Sequence, residues 1–129
     1  MYSTYLYVHK RIAERGYEAK IVSGITSFCA VAARLNMGLV EMAEPLHVIP
    51  ATYNADTMDD ILKLPGTKVL MKTGKKLKQV RESILESGQA AVMIEDCGMP
   101  TEKIYTSAEE IPEQSGYYSL IIAKEKKTL

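Results

Sequence analysis

The sequence predicts an α/β domain in which a mixed β-sheet is flanked by helices. Three observations carry this. Segments of helical apolar period alternate with short β-branched runs along the 129 residues, the pattern of helices covering a sheet. Glycine and proline punctuate those segments at Gly16, Pro65-Gly66 and Gly88. The last three strand segments follow one another with little helix between them, so the sheet is expected to be mixed and not wholly parallel.

Residues 3–15 read as a helix, with Tyr5, Val8 and Ile12 at i, i+3 and i+7 and Gly16 as its stop. Ala19–Val22 reads as a short strand and residues 27–35 as a helix. Leu46–Ile49 is a second strand. Asp56–Leu64 reads as a helix whose early acids suit the helix dipole, with Pro65-Gly66 as terminator. Lys68–Lys72 is a third strand. Lys75–Ser87 is an amphipathic helix with Leu77, Val80 and Ile84 on one face, closed by Gly88. Ala90–Glu95, Lys103–Thr106 and Tyr117–Lys124 complete six expected strands.

Hydrophobic residues make up 47% of the chain and charged residues 25%, a mix that suits one globular domain with a substantial core. Acids and bases balance at 16 each, which removes the electrostatic case for nucleic acid. Lys72, Lys75, Lys76 and Lys78 read as a solvated helix start, and Lys126-Lys127 as a frayed tail. Two cysteines make no disulfide framework; Cys29, in an apolar helical stretch, is expected to be small and buried. The two histidines, His9 and His47, are far apart, and no pattern offers metal-ligand spacing. No apolar stretch reaches the ~20 residues that cross a bilayer, and no signal peptide opens the chain. A cytoplasmic location without membrane contact is the expectation.

Residues 20–34 are the most informative. A β-branched run ends in Ser23-Gly24, Thr26-Ser27 follows, and an Ala-rich helix begins. Gly24 allows φ > 0 or a close approach to the backbone. Thr26 or Ser27 can cap the helix, whose free N–H groups could also meet a polar ligand. An ordinary strand–turn–helix connection is the plainer reading of the spacing alone.

The wording narrows this. Val22-Ser23-Gly24-Ile25-Thr26-Ser27-Phe28-Cys29-Ala30 resembles the P-G-[IV]-[TS]-S-F-[CS]-A signature of the tetrapyrrole methylases. Tyr2-Ser3-Thr4-Tyr5, Glu44-Pro45-Leu46 with Val48–Tyr53, Val69–Lys72, Glu95–Pro100 and Tyr118–Ile122 are similar to further blocks of that family, in order along nearly the whole chain. The glycine-rich opening and Gly-Asp-Pro turn of the family do not occur here. The resemblance therefore implies a C-terminal half: residues 1–15 an inter-domain helix region and 16–129 the C-terminal domain, with the N-terminal domain absent.

The resemblance implies methyl transfer from S-adenosylmethionine to a tetrapyrrole, its wording favouring carbon 20 of precorrin-2 or cobalt-precorrin-2 in cobalamin synthesis. It implies a homodimer, and a half-enzyme that folds without catalysing. The cofactor contacts it implies are Ser3, Thr4, Thr26, Ser27, Met71, Lys72, Cys97 and Gly98, with Tyr2 and Tyr53 against the macrocycle. Tyr5 is a further candidate for that apolar wall. Ser3 or Thr4 also reads as a helix cap, Met71 as core filler, Lys72 as a solvated strand end, and Cys97–Pro100 as a tight turn. Glu95 reads either as a carboxylate orienting a backbone N–H or, more simply, as a surface charge. His47 alternates with Leu46 and Val48, which points it to the opposite sheet face; a proton acceptor for the macrocycle is its alternative use. No catalytic residue is assigned. A non-catalytic dimerisation module, and a sister methylase acting elsewhere on a corrin or on a diphthine precursor, are the competing readings.

Overall fold

The computed structural model describes residues 2–126. Among these, helix α1 spans Ser3–Glu14 and α2 spans Ser27–Arg34. Strand β1 is Leu46–Pro50, α3 is Met58–Leu62, β2 is Thr67–Met71 and α4 is Leu77–Ser87. Strands β3 (Ala90–Glu95), β4 (Lys103–Tyr105) and β5 (Ser119–Lys124) follow. They form one five-stranded sheet in the order β1-β2-β5-β3-β4. β1 and β2 are parallel, and every other pair is antiparallel. The expected mixed sheet is therefore present.

The chemistry of β5 explains its central place. Leu120, Ile121, Ile122 and Ala123 are all buried, so the run packs on both faces and has no polar side to turn to water. On one face Leu70, Ile121 and Met93 meet Leu62 of α3 and Leu77, Val80 and Ile84 of α4. On the other, Val69, Ile94, Leu120 and Ile122 meet Phe28 and Val31 of α2. Each fully buried side chain of this size contributes about 1.5–3 kcal/mol of transfer free energy. Gly66 tightens the entry to β2: at φ +93° a Cβ there would collide with the Pro45 carbonyl and ring, so only glycine fits.

Several expectations are corrected. Ala19–Val22 forms no strand; Ile21 and Val22 are exposed, and β-branched residues without a neighbouring strand gain nothing from extension. Five strands, not six, result. The expected Asp56–Leu64 helix is a 3-10 turn over Ala55–Thr57 running into α3. β5 begins at Ser119, after an exposed Tyr117-Tyr118 pair. Cys29 is exposed because it lies on the face of α2 turned from the sheet, while Phe28, Val31 and Ala32 are buried. Among the described residues no side chain caps α1 or α2: Tyr2 and Thr26 hold the N-cap positions without a capping bond, and Ser3 and Ser27 are already helical. The lysine cluster at 72, 75, 76 and 78 is solvent-exposed as expected. Lys126 is exposed, and Lys127 lies outside the described residues.

Lys68 needs a physical account. It sits mid-sheet opposite His47 and Ala123, fully buried, and its ammonium makes no hydrogen bond among the described residues. Burial pushes its pKa below the usual lysine value, against the opposing pull of Glu125 and Glu44.

Candidate functional site

β1, β2 and β3 all run in one direction, because β5 is antiparallel to both β2 and β3. Their C-terminal ends therefore open on the same edge of the sheet, the usual place for a ligand in α/β folds. Three adjoining hollows lie there. The central one, about 300 Å³, is walled by Ser27, Ala30 and Val31 of α2, Met71 and Lys72 at the end of β2, Ile94, Asp96 and Cys97 at the end of β3, and Tyr117–Leu120. Its neighbour of about 400 Å³ shares Lys72 and Tyr117 and adds Thr52, Tyr53 and Lys75. The third, about 270 Å³, shares Ser27 and Met71 and adds Tyr2, Gly24 and Thr26. Together they form a groove of ligand size.

The backbone is bent on purpose at this edge. Tyr2 (φ 59°), Lys72 (φ 55°) and Asp96 (φ 53°) are non-glycine residues in the left-handed region. Such residues cost of order 1–3 kcal/mol and gather where surroundings over-determine them. Here the ties are visible. Thr52 Oγ1 donates to the Lys72 carbonyl, and the Asp96 N–H donates to the Tyr118 carbonyl at 2.8 Å. Thr101 Oγ1 donates to Asp96 Oδ2 at 2.8 Å.

A second set of bonds holds the loop before β5. Glu95 Oε1 accepts the Gly116 N–H at 2.8 Å, so the orienting reading of Glu95 is the one observed. Thr73 and Ser119 share a buried hydroxyl bond of 2.9 Å. Tyr117 and Tyr118 stack edge to face with centroids 5.3 Å apart.

Electrostatically the groove is mixed. Lys72 and Lys75 lie toward the Tyr53 end, while Asp96 lies in the central hollow. Among the described residues no side chain caps the N–H groups at the start of α2, and beside them Thr26 Oγ1 is buried without a hydrogen-bond partner. An orphaned buried hydroxyl next to an uncapped helix start fits a polar, anionic ligand group. Burial pushes the Cys97 thiol up, the Glu102 charge adds to this, and Arg34 opposes it.

Of the residues singled out in the sequence, Tyr2, Thr26, Ser27, Tyr53, Met71, Lys72 and Cys97 line the groove. Gly98 sits between the lining residues Cys97 and Met99 without being one itself, its N–H held by Glu102 Oε2 at 2.7 Å. Ser3 and Thr4 are exposed on α1 and are not among the lining residues. His47 is engaged three residues before the end of β1, its Nε2 donating to the Pro65 carbonyl at 2.9 Å; the groove lies at the other end of that strand. Asp96, Tyr117 and Tyr118 are among the lining residues that the sequence reading did not propose for the site. Their signal was position, each lying next to a strand end.

The profile of the family described as Tetrapyrrole (Corrin/Porphyrin) Methylases matches residues 1–112. A probable cobalt-precorrin-2 C(20)-methyltransferase of Methanocaldococcus jannaschii is 42% identical over 73 residues, covering 57% of this chain and 30% of that protein. The cobalt-precorrin-2 C(20)-methyltransferase of Salmonella typhimurium is 26% identical over 98% of this chain and 54% of its own length. The chain thus spans about half or less of these curated relatives. Among solved structures, a uroporphyrin-III C-methyltransferase from Thermus thermophilus complexed with S-adenosylhomocysteine has the same fold. Its TM-score is 0.69 at 15% identity, with 97% of this chain and 59% of that one covered.

Proposed function

The chain belongs to the tetrapyrrole methylase family, and from that premise we propose that its strand-end groove is the cofactor wall of an S-adenosylmethionine-dependent methyltransferase. The substrate of the whole protein is proposed to be precorrin-2 or cobalt-precorrin-2, methylated at carbon 20 in cobalamin synthesis. The observation that carries the reading is the uncapped start of α2 at the edge of an apolar hollow of ligand size, with the Thr26 hydroxyl buried beside it without a hydrogen-bond partner among the described residues. The similarity to two C(20)-methyltransferases supports the position of methylation.

S-adenosylmethionine, when bound, supplies a methyl carbon already activated by its sulfonium. The chain's task is then placement, since near-attack geometry alone removes a large part of such a barrier. Thr26, Ser27 and the free N–H groups of α2 suit the carboxylate of the methionine part. Ser3 and Thr4 are proposed as rim contacts at the same end. Met71, Ile94 and Cys97 offer an apolar slot for a flat base, with the peptide groups of Met71-Lys72 and Gly98 at its edge. Tyr2 and Tyr53 suit the macrocycle face, and Lys72 with Lys75 suits its carboxylates. Tyr117 and Tyr118 screen the central hollow from water.

Calorimetric titration with S-adenosylhomocysteine tests this. Micromolar affinity, about −8 kcal/mol, is expected; absence of binding overturns the reading for this chain. With precorrin-2 and the methyl donor added, the chain alone is expected to show no turnover.

A second reading, a dimerisation or scaffold module, is favoured by one observation. Tyr2, Leu6, Tyr7, Val8, Tyr17, Ile21, Val22 and Ile25 are all exposed in the first 25 residues, the kind of apolar run that a partner surface would cover. Sedimentation at several concentrations distinguishes the two readings: a strict monomer removes this one.

A further inference from the structure

We propose that Arg34 and Glu102 are positioning residues, a clasp that fixes the Asp96–Glu102 turn against α2 so that two walls of the groove are set together. Its bearing on the cofactor rests on the reading of the groove given above. Arg34 closes the C-terminal turn of α2, and its guanidinium meets Glu102 Oε1 at 2.7 Å. The other oxygen, Oε2, accepts the Gly98 N–H at 2.7 Å. One carboxylate therefore spans helix and turn, with both bonds charge-assisted.

The turn is stiff in itself. The Met99 N–H donates to the Asp96 carbonyl and the Glu102 N–H to the Met99 carbonyl, at 2.9 and 3.0 Å. The β3–β4 pairing and the Asp96 N–H bond to Tyr118 hold the ends of the turn, so removal of the clasp frees the tip of that turn from α2. Its walls are Asp96, Cys97 and Met99; those of α2 are Ser27, Ala30 and Val31. The Glu102 side chain is 14% exposed and that of Arg34 53%, so the carboxylate is shielded while the guanidinium reaches water, and the bridge is worth more than a fully exposed pair but less than a buried one.

The two cysteines make the test direct. Cys97 is half-buried on the turn, and Cys29 is exposed on α2. The rates of iodoacetamide alkylation at both sites, read by mass spectrometry, give a Cys97/Cys29 ratio. In Arg34→Met the charge effect alone slows Cys97, because the cation that opposes Glu102 is gone. Release of the turn speeds it. The clasp predicts a ratio raised about fivefold in Arg34→Met and restored to within about twofold in Arg34→Lys. Glu102→Asp keeps the charge but is one methylene too short to bridge, and should raise the ratio about threefold.

Retained melting transitions show that the variants fold, and an unfolded variant is recognised by two equally fast thiols, leaving the other variant to decide. Unchanged or lowered ratios in the folded variants overturn the clasp. S-adenosylhomocysteine affinity should fall about fivefold in Arg34→Met and Glu102→Asp. If the ratios rise as predicted but the unaltered chain binds no S-adenosylhomocysteine, the groove reading fails while the clasp stands.

Discussion

Strand β5 and helix α1 both carry apolar side chains, and they differ in what lies opposite. In β5, Leu120–Ala123 are enclosed on both faces by side chains from three helices. In α1 no residue is buried, and Leu6, Tyr7 and Val8 face water. The same kind of residue therefore stabilises one element and leaves the other marginal, since a 12-residue helix without tertiary packing gains little on its own. Apolar periodicity names an element; a partner surface decides whether it is held.

Truncation sharpens the contrast most. Ile121→Ala should cost about 4 kcal/mol in urea denaturation, as expected for a fully buried side chain. Leu6→Ala should cost less than about 0.5 kcal/mol. Comparable losses at both sites would break the comparison. Gly66→Ala comes next, at about 2 kcal/mol or more, from the positive φ and the collision with Pro45.

Lys68→Met tests the fully buried lysine of β2. The lysine's pKa is lowered on folding, so below the usual 10.5 the unfolded chain holds the proton more readily than the folded one. Stability should therefore rise as pH climbs toward that value. The methionine variant should lose this slope and gain about 1 kcal/mol near neutrality. A loss of stability would show that Glu44 and Glu125 outweigh burial. The smallest effect is in hydrogen exchange, where α1 amides should show almost no protection and β5 amides should open only with the whole domain.

The same contrast explains what could be read in the sequence. α4 was legible because Leu77, Val80 and Ile84 form one stripe and Gly88 stops it at φ +68°. α1 was equally legible as a helix, but nothing in Tyr5, Val8 and Ile12 states whether anything covers them. Ala19–Val22 misled for that reason: β-branched residues suit a strand only beside another strand. Met71, Lys72 and Cys97 were found at the groove through motif resemblance. Asp96 and the Tyr117-Tyr118 pair were not, because they face the groove only once β5 slots between β2 and β3. The Arg34–Glu102 bridge joins positions far apart in sequence and leaves no local signature. Lys68 opens the expected Lys68–Lys72 strand, and nothing in that pattern marks its depth in the sheet.

The most direct measurement is an NMR titration of the ¹⁵N-labelled chain with S-adenosylhomocysteine. The account predicts saturable shifts at Thr26–Phe28, Met71-Lys72, Asp96–Gly98 and Tyr117–Ser119, with the body of α1 from Leu6 onward silent. Shifts confined to other surfaces, or none at millimolar ligand, would contradict the claim that the strand ends carry the cofactor site.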